Sequence, residues 1–203
     1  MKMKTRLPLL AQRSVAEVRS FHREFAENYE VQLRSRVTFT CRKGCSNCCY
    51  HPVFITLLEG VALYENLHEQ GIWTRQLKDA LHGHAAKVRG LAPEVWLMSL
   101  VACPLLEDGQ CKAYDDRPFS CRVTYSIGNP SNCHPHTLGS GMIPKREAIE
   151  AVTAAEAEVL HRHHLRHVRL PLSIAVLYGE RIATGEIELE DCQAALLEML
   201  PHV

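Results

Sequence analysis

The chain has 203 residues, 46% of them apolar and 23% charged, a globular composition long enough to build a hydrophobic core without metal or disulfide staples. Its 23 basic and 23 acidic residues cancel, which excludes a bulk electrostatic pull toward nucleic acid or anionic membrane. No run reaches the roughly 20 apolar residues of a membrane helix, and the Leu7–Ala11 patch behind the basic start is too short for a signal-peptide core, so a reducing cytoplasm is the expected location.

In chain order, Ser14-Val-Ala-Glu17 has the form of a capping box. Val15, Val18, His22, Phe25 and Tyr29 then recur at helical spacing and predict a helix over about 15–34. Residues 38–50 have no helical period. Thr56-Leu-Leu-Glu59 is a second capping box, opening a helix that Gly71 closes. A third helix follows with Leu77, Leu81, His84, Ala85 and Val88 on one face, stopped at Gly90, and Pro93 begins a short helical segment. Residues 101–141 are rich in turn formers and predict a long loop that needs a tie. From Pro144, the face of Ile149, Val152, Val159, Leu160 and His163 predicts a helix to about Val168. Pro171 separates it from a segment reaching about Ala183, and Leu189–Leu200 forms the last amphipathic helix. The expected architecture is mainly α: one helical domain over 1–203, with two cysteine-rich loop regions converging on a metal site. Helical flanks at 14–35 and 144–200 bracket the cysteine region, 41–133.

Eight of the nine cysteines lie between Cys41 and Cys133, four of them within nine residues as Cys41, Cys45, Cys48 and Cys49. Neighbouring cysteines on short loops fit disulfide geometry poorly, and a reducing compartment disfavours such bridges. Soft thiolates on short turns are what zinc or an iron–sulfur cluster takes as ligands. Cys103 and Cys111 flank Asp108-Gly109, a hairpin signal that places them on opposite arms, and Cys121 and Cys133 follow. Eight thiolates serve two four-coordinate sites or one multinuclear cluster with shared ligands. The vicinal pair Cys48–Cys49 points to two adjacent centres, or to one cysteine spared for other chemistry. Cys41-x3-Cys45-x2-Cys48 also matches the spacing of radical S-adenosylmethionine enzymes, but the β/α alternation of their barrel is absent.

C-x3-C-x2-C-C, then C-P-x-L, a cysteine with Tyr114 three residues on, and R-P-x-x-C-R resemble the bacterial cysteine-cluster family (YkgJ-type), a zinc- or iron-chelating domain. The resemblance covers Cys41 to Cys133. It implies Cys41, Cys45, Cys48, Cys49, Cys103, Cys111, Cys121 and Cys133 as metal ligands, with Tyr114, Arg117, Pro118 and Arg122 at the pattern's other positions. Flagellin lysine N-methylases carry a similar cluster, and many relatives are described as iron–sulfur oxidoreductases. Arg117 and Arg122, beside a sulfur-rich anionic site, are expected to neutralise charge and hydrogen-bond around it; ordinary salt bridges to Asp115, Asp116 or Glu107 are the plain alternative.

Among the histidines, His51, His134 and His136 sit beside proposed ligands, where each is either a passive loop residue or a member of the metal shell. His161 to His167, interleaved with Arg162 and Arg166, reads as a solvated basic helix end, and Cys192 as a buried apolar residue. Tyr50 and Tyr125 flank the cysteine loops as shields or plain packing. The leading functional expectation is a metal-binding protein in redox or metal-dependent modification, holding an iron–sulfur cluster slightly in preference to zinc. The alternatives are a non-catalytic zinc-stabilised binding or metal-handling module, and a lysine N-methylase-like enzyme. The last is opposed by the lack of a glycine-rich S-adenosylmethionine motif. Expected partners are metal ions and a protein partner or substrate, with neither nucleic acid nor membrane.

Overall fold

The computed structural model describes residues 9–134, 146–162 and 165–199, and its architecture is mainly α. The helices are α1 (Leu9–Arg34), α2 (Leu57–Glu69), α3 (Arg75–Val88), α4 (Pro93–Met98), α5 (Phe119–Arg122), α6 (Arg146–Arg162), α7 (Leu172–Ala183) and α8 (Leu189–Met199). Two short antiparallel pairs accompany them: β1 (Phe54–Thr56) with β4 (Arg169–Pro171), and β2 (Leu106–Glu107) with β3 (Gln110–Cys111). Among the described residues no helix is long and apolar enough to cross a membrane.

α2 is the central element because it is apolar on nearly every side. Leu57, Leu58, Val61, Ala62, Leu63 and Leu67 are all buried. Its start is secured by the predicted capping box, in which the Thr56 hydroxyl accepts from the Glu59 amide and the Glu59 carboxylate accepts from the Thr56 amide. α7 crosses α2 at main-chain contact. A Cβ on Gly60 would stand 2.3 Å from the Ala175 carbonyl oxygen, and one on Gly179 would stand 2.4 Å from that of Gly60. Only glycine admits this approach. α3 packs its predicted face, Leu77, Leu81, His84, Ala85 and Val88, onto the same core. A second, smaller apolar cluster of Ala26, Phe119, Val123, Ala148 and Val152 joins α5 to α1 and α6. That cluster anchors the cysteine region to the helical frame.

Three expectations fail locally. α1 spans Leu9–Arg34, so Ser14 lies within the helix and not at its start; the preceding Leu-Leu-Ala-Gln-Arg run is itself helix-forming. α6 ends at Arg162 rather than near Val168. Residues 165–168 have no regular secondary structure and lead into β4, where Leu170 is buried beside β1. The β1–β4 pair was not foreseen. Its register, Phe54 to Pro171 and Thr56 to Arg169, brings the starts of α2 and α7 together, and Val53 accepts from the Leu172 amide at 2.9 Å.

Candidate metal centre

The chain reaches the first cysteine through Phe39, which is buried, bridges to Ile127 and stacks on Tyr125 with ring centroids 4.4 Å apart. Thr40 donates to the Gly128 carbonyl at 2.6 Å, and the Ser126 amide donates to Cys41 Sγ at 3.3 Å. Arg42 and Cys45 then close a tight turn through the Cys45 amide. Cys48 and Cys49 occupy a single 3-10 turn, Asn47–Tyr50. The Cys49 carbonyl accepts from the Cys103 amide at 2.7 Å, which joins the first cysteine group to the second.

The second group is held by the predicted hairpin. Asp108 and Gly109 both take positive φ, 50° and 74°, as a type I′ turn requires, and Leu106 faces Cys111 across it. Cys103 lies three residues before that pair, at the hairpin's foot, so the two cysteines are near one another without being directly opposed. The amide two residues after each hairpin cysteine bonds back to its sulfur: Leu105 to Cys103, and Ala113 to Cys111. Cys121 sits in α5, which directly follows the Arg-Pro segment, Pro118 standing at its N-cap. Cys133 ends a second 3-10 turn, Pro130–Cys133, which packs on the first; Ser126 bonds to its sulfur as well.

None of the nine cysteines forms a disulfide. Burial pushes the Cys41, Cys111 and Cys133 thiols up and lifts Cys103 to about 12. Cys49 is raised first by its hydrogen bond with Cys48, and then by burial. The charges are mutually felt: Cys41 and Cys133 both respond to Cys45 and Cys48, while Cys49 responds to Cys103 and Cys121. However, no three Cys, His, Asp or Glu side chains among the described residues stand close enough to hold a metal ion. The loops meet through their main chains, and the sulfurs are neighbours without a shared centre. The donor chemistry nevertheless fits a soft cation: clustered unbridged thiols, amides aimed at sulfur, and mutual repulsion once ionised.

Arg117 stacks on the Tyr114 ring at 3.8 Å and donates to the Tyr114 carbonyl. Its charge acts to lower both Cys41 and Cys111. Arg122 donates to the Arg117 and Asp115 carbonyls. Neither arginine makes the plain salt bridge with Asp115, Asp116 or Glu107. Those carboxylates pair with Lys43, Arg19 and Lys112 respectively. His51 contacts the Cys133 carbonyl and His134 lies against the Tyr50 ring; His136 lies outside the described residues. Tyr125 is buried and donates to Glu30, while Cys192 is buried as expected.

A buried ionic network went unread in the sequence. His22 from α1 lies 3.4 Å from Glu59 and 3.6 Å from Glu156, and all three are at least nine-tenths buried. Thr56 donates to Glu156 at 2.7 Å, and His167 Nε2 lies 3.2 Å from the same carboxylate. Burial pulls His22 down, but hydrogen bonds and charge from Glu156 and Glu59 outweigh it and raise its pKa to about 9. Burial likewise pushes Glu156 up, yet His167, His22 and Thr56 bring it to about 2. Glu59 also accepts the Phe119 amide at 2.9 Å, two residues before Cys121. His167 is therefore half-buried, turned to Glu156 and not part of a solvated helix end, although His161 and Arg162 are exposed as expected; His163 and His164 lie outside the described residues. The legible signal was Glu156 itself, standing in line with Val152 and Leu160 on the buried face of α6.

A protein-family model, CxxCxxCC, described as "Putative zinc- or iron-chelating domain", matches residues 40–153. No curated protein and no solved structure matches the chain significantly.

Proposed function

The chain belongs to the CxxCxxCC family, a domain of zinc or iron chelation, and from that premise we propose that its eight clustered cysteines hold metal as two adjoining sets of four. Cys41, Cys45, Cys48 and Cys133 form one set, and Cys49, Cys103, Cys111 and Cys121 the other. What supports this division is how the loops on either side of the vicinal pair are tied. Cys49 takes the Cys103 amide on its carbonyl, whereas Ser126 ties Cys41 to Cys133 on the other side. Divergent neighbouring side chains serve two centres more easily than one.

Bound iron–sulfur would supply one-electron chemistry, and zinc would supply a structural or Lewis-acidic cation. Around either, the Ser126, Leu105 and Ala113 amides steady the thiolates, and Arg117, braced on Tyr114, offsets their charge. Thiols that ionise only at raised pH must release protons on binding, so affinity rises with pH. We favour iron–sulfur in a redox or metal-dependent modification role, in a reducing cytoplasm where the thiols stay unbridged. The test is elemental analysis with a visible spectrum on anaerobically prepared protein. Brown protein with iron and sulfide is expected; colourless protein with stoichiometric zinc overturns the redox role. Cys48→Ser and Cys49→Ser should each remove about half the metal, and loss of all metal in either variant favours a single shared cluster.

One observation favours a second reading, a zinc-stabilised module without catalysis: Glu59 in the helical core holds the Phe119 amide of the cysteine turn, as metal used for architecture would require.

A further inference from the structure

We propose that the cleft between α1 and the Arg-Pro turn ahead of α5 binds a tetrahedral oxyanion, phosphate or a phosphate ester, through guanidinium groups brought from both walls. Arg19 and Arg23 enter from α1, and Arg117 and Arg122 from the turn, around a cavity of ≈ 50 Å³. That space exceeds what a single water needs and suits an anion of a few heavy atoms. His22, Ala62, Leu63, Pro118 and Phe119 contribute to its lining.

Charge is what sets this cleft apart. Four guanidiniums line it beside two carboxylates, Glu59 and Asp116, and the His22 imidazolium there is offset by Glu59 and by Glu156 behind it. Glu59 is already engaged by His22 and by the Thr56 and Phe119 amides. Asp116 receives Gln70 at 2.9 Å and lies 3.8 Å from Arg19. Arg117 and Arg122 spend their donors on main-chain carbonyls, which bring no negative charge. Arg23 pairs with no carboxylate among the described residues; burial and the charges of Arg117 and Arg23 act against that of Arg122, while Asp116 and Glu27 support it. Like charges held together in a half-buried cleft repel, and an anion would relieve that repulsion. A doubly charged tetrahedral group offers acceptors to both walls at once, whereas a single planar carboxylate can satisfy only one fork. The site lies beside the turn that carries Cys121 but needs no metal for its own chemistry.

Inorganic phosphate, titrated calorimetrically into the full chain with its metal in place at fixed ionic strength, tests this directly. Saturable one-to-one binding is expected, with sulfate similar and acetate much weaker. Arg23→Gln, at an exposed position, should weaken phosphate by about tenfold, since a charge-assisted hydrogen bond contributes on that scale. Arg75→Gln, at an exposed position on α3, should leave binding unchanged. No saturable binding, equal loss in both variants, or acetate binding as tightly as phosphate overturns the proposal.

Discussion

Where α2 crosses α7, Gly60 and Gly179 bring main chain against main chain, and the apolar contact is complete in itself. The cysteine loops, residues 39–51 and 103–134, are joined differently, by single hydrogen bonds between loops, several ending on sulfur. The first region follows from packing that every residue supports. The second gathers thiols whose ionised forms repel one another, an arrangement that makes physical sense around cations. The contrast teaches that the frame and the centre draw their stability from different sources, coupled through the Phe119 anchor and through Leu105 and Ala113, which are buried in the main core.

The sharpest break of that contrast is to withdraw the metal. Structural zinc contributes roughly 10 kcal/mol to small metal-folded units, so chelation should speed amide exchange in the cysteine loops by a thousandfold or more. The Cys103, Leu105, Ala113 and Ser126 amides report the loops, and those of Val61 and Val176 report the frame. Loss confined to the loops is expected; equal loss in α2 and α7 would mean that the two regions are one cooperative unit. The complementary break is Gly60→Ala. Its added methyl meets a carbonyl at 2.3 Å, with no flexible side chain to yield, so about 3 kcal/mol or more should be lost in urea denaturation. A cost near zero would show that the crossing tolerates a shift.

Legibility followed the same division. The faces of α2 and α3 were readable because apolar spacing and the Thr56 capping box are local, repeated signals. Asp108-Gly109 was readable because turn type dictates residue type. Ser14 misled because a capping box is a signal only where the helix begins, and residues 9–13 continue it backward. β1 and β4 are three residues each, too short to display a period, and they pair across more than a hundred positions. The ionic network was only partly legible: Glu156 stands in line with apolar Val152 and Leu160, but His22, Glu59 and Glu156 come from three helices and nothing local shows that they meet. The cysteines were legible as a group, but their division into sets rests on which loop amides meet which, and spacing alone does not encode that.

Two buried histidines of the frame allow the comparison to be sharpened by pH. His22 is held up to about 9, so it stabilises the fold fully below about pH 6.5 and loses that contribution as pH rises toward 9. Burial brings His84 down to about 4, beside Ser173 and Trp96, with Lys87 adding to the shift. Its contribution is present above about pH 6.5 and is lost as pH falls toward 4. Stability should therefore peak near pH 6.5. His22→Gln should flatten the alkaline side and His84→Gln the acidic side, as read in denaturation midpoints across pH. A peak that moves with metal content instead would assign the pH dependence to the thiols.

The smallest effect is also informative. Lys43 and Asp115 are paired at 3.1 Å across the cysteine region, but their side chains are 64% and 79% exposed, so water screens the attraction. Arg122 meets the carbonyl of Asp115 and not its carboxylate, a contact that the substitution preserves. Asp115→Asn should therefore cost less than about 1 kcal/mol and leave metal content intact. A larger loss, or release of metal, would make surface charge part of what holds the loops together. The cysteine region would then have a source of cohesion independent of its sulfur, and the distinction between a self-sufficient frame and a metal-dependent centre would fail.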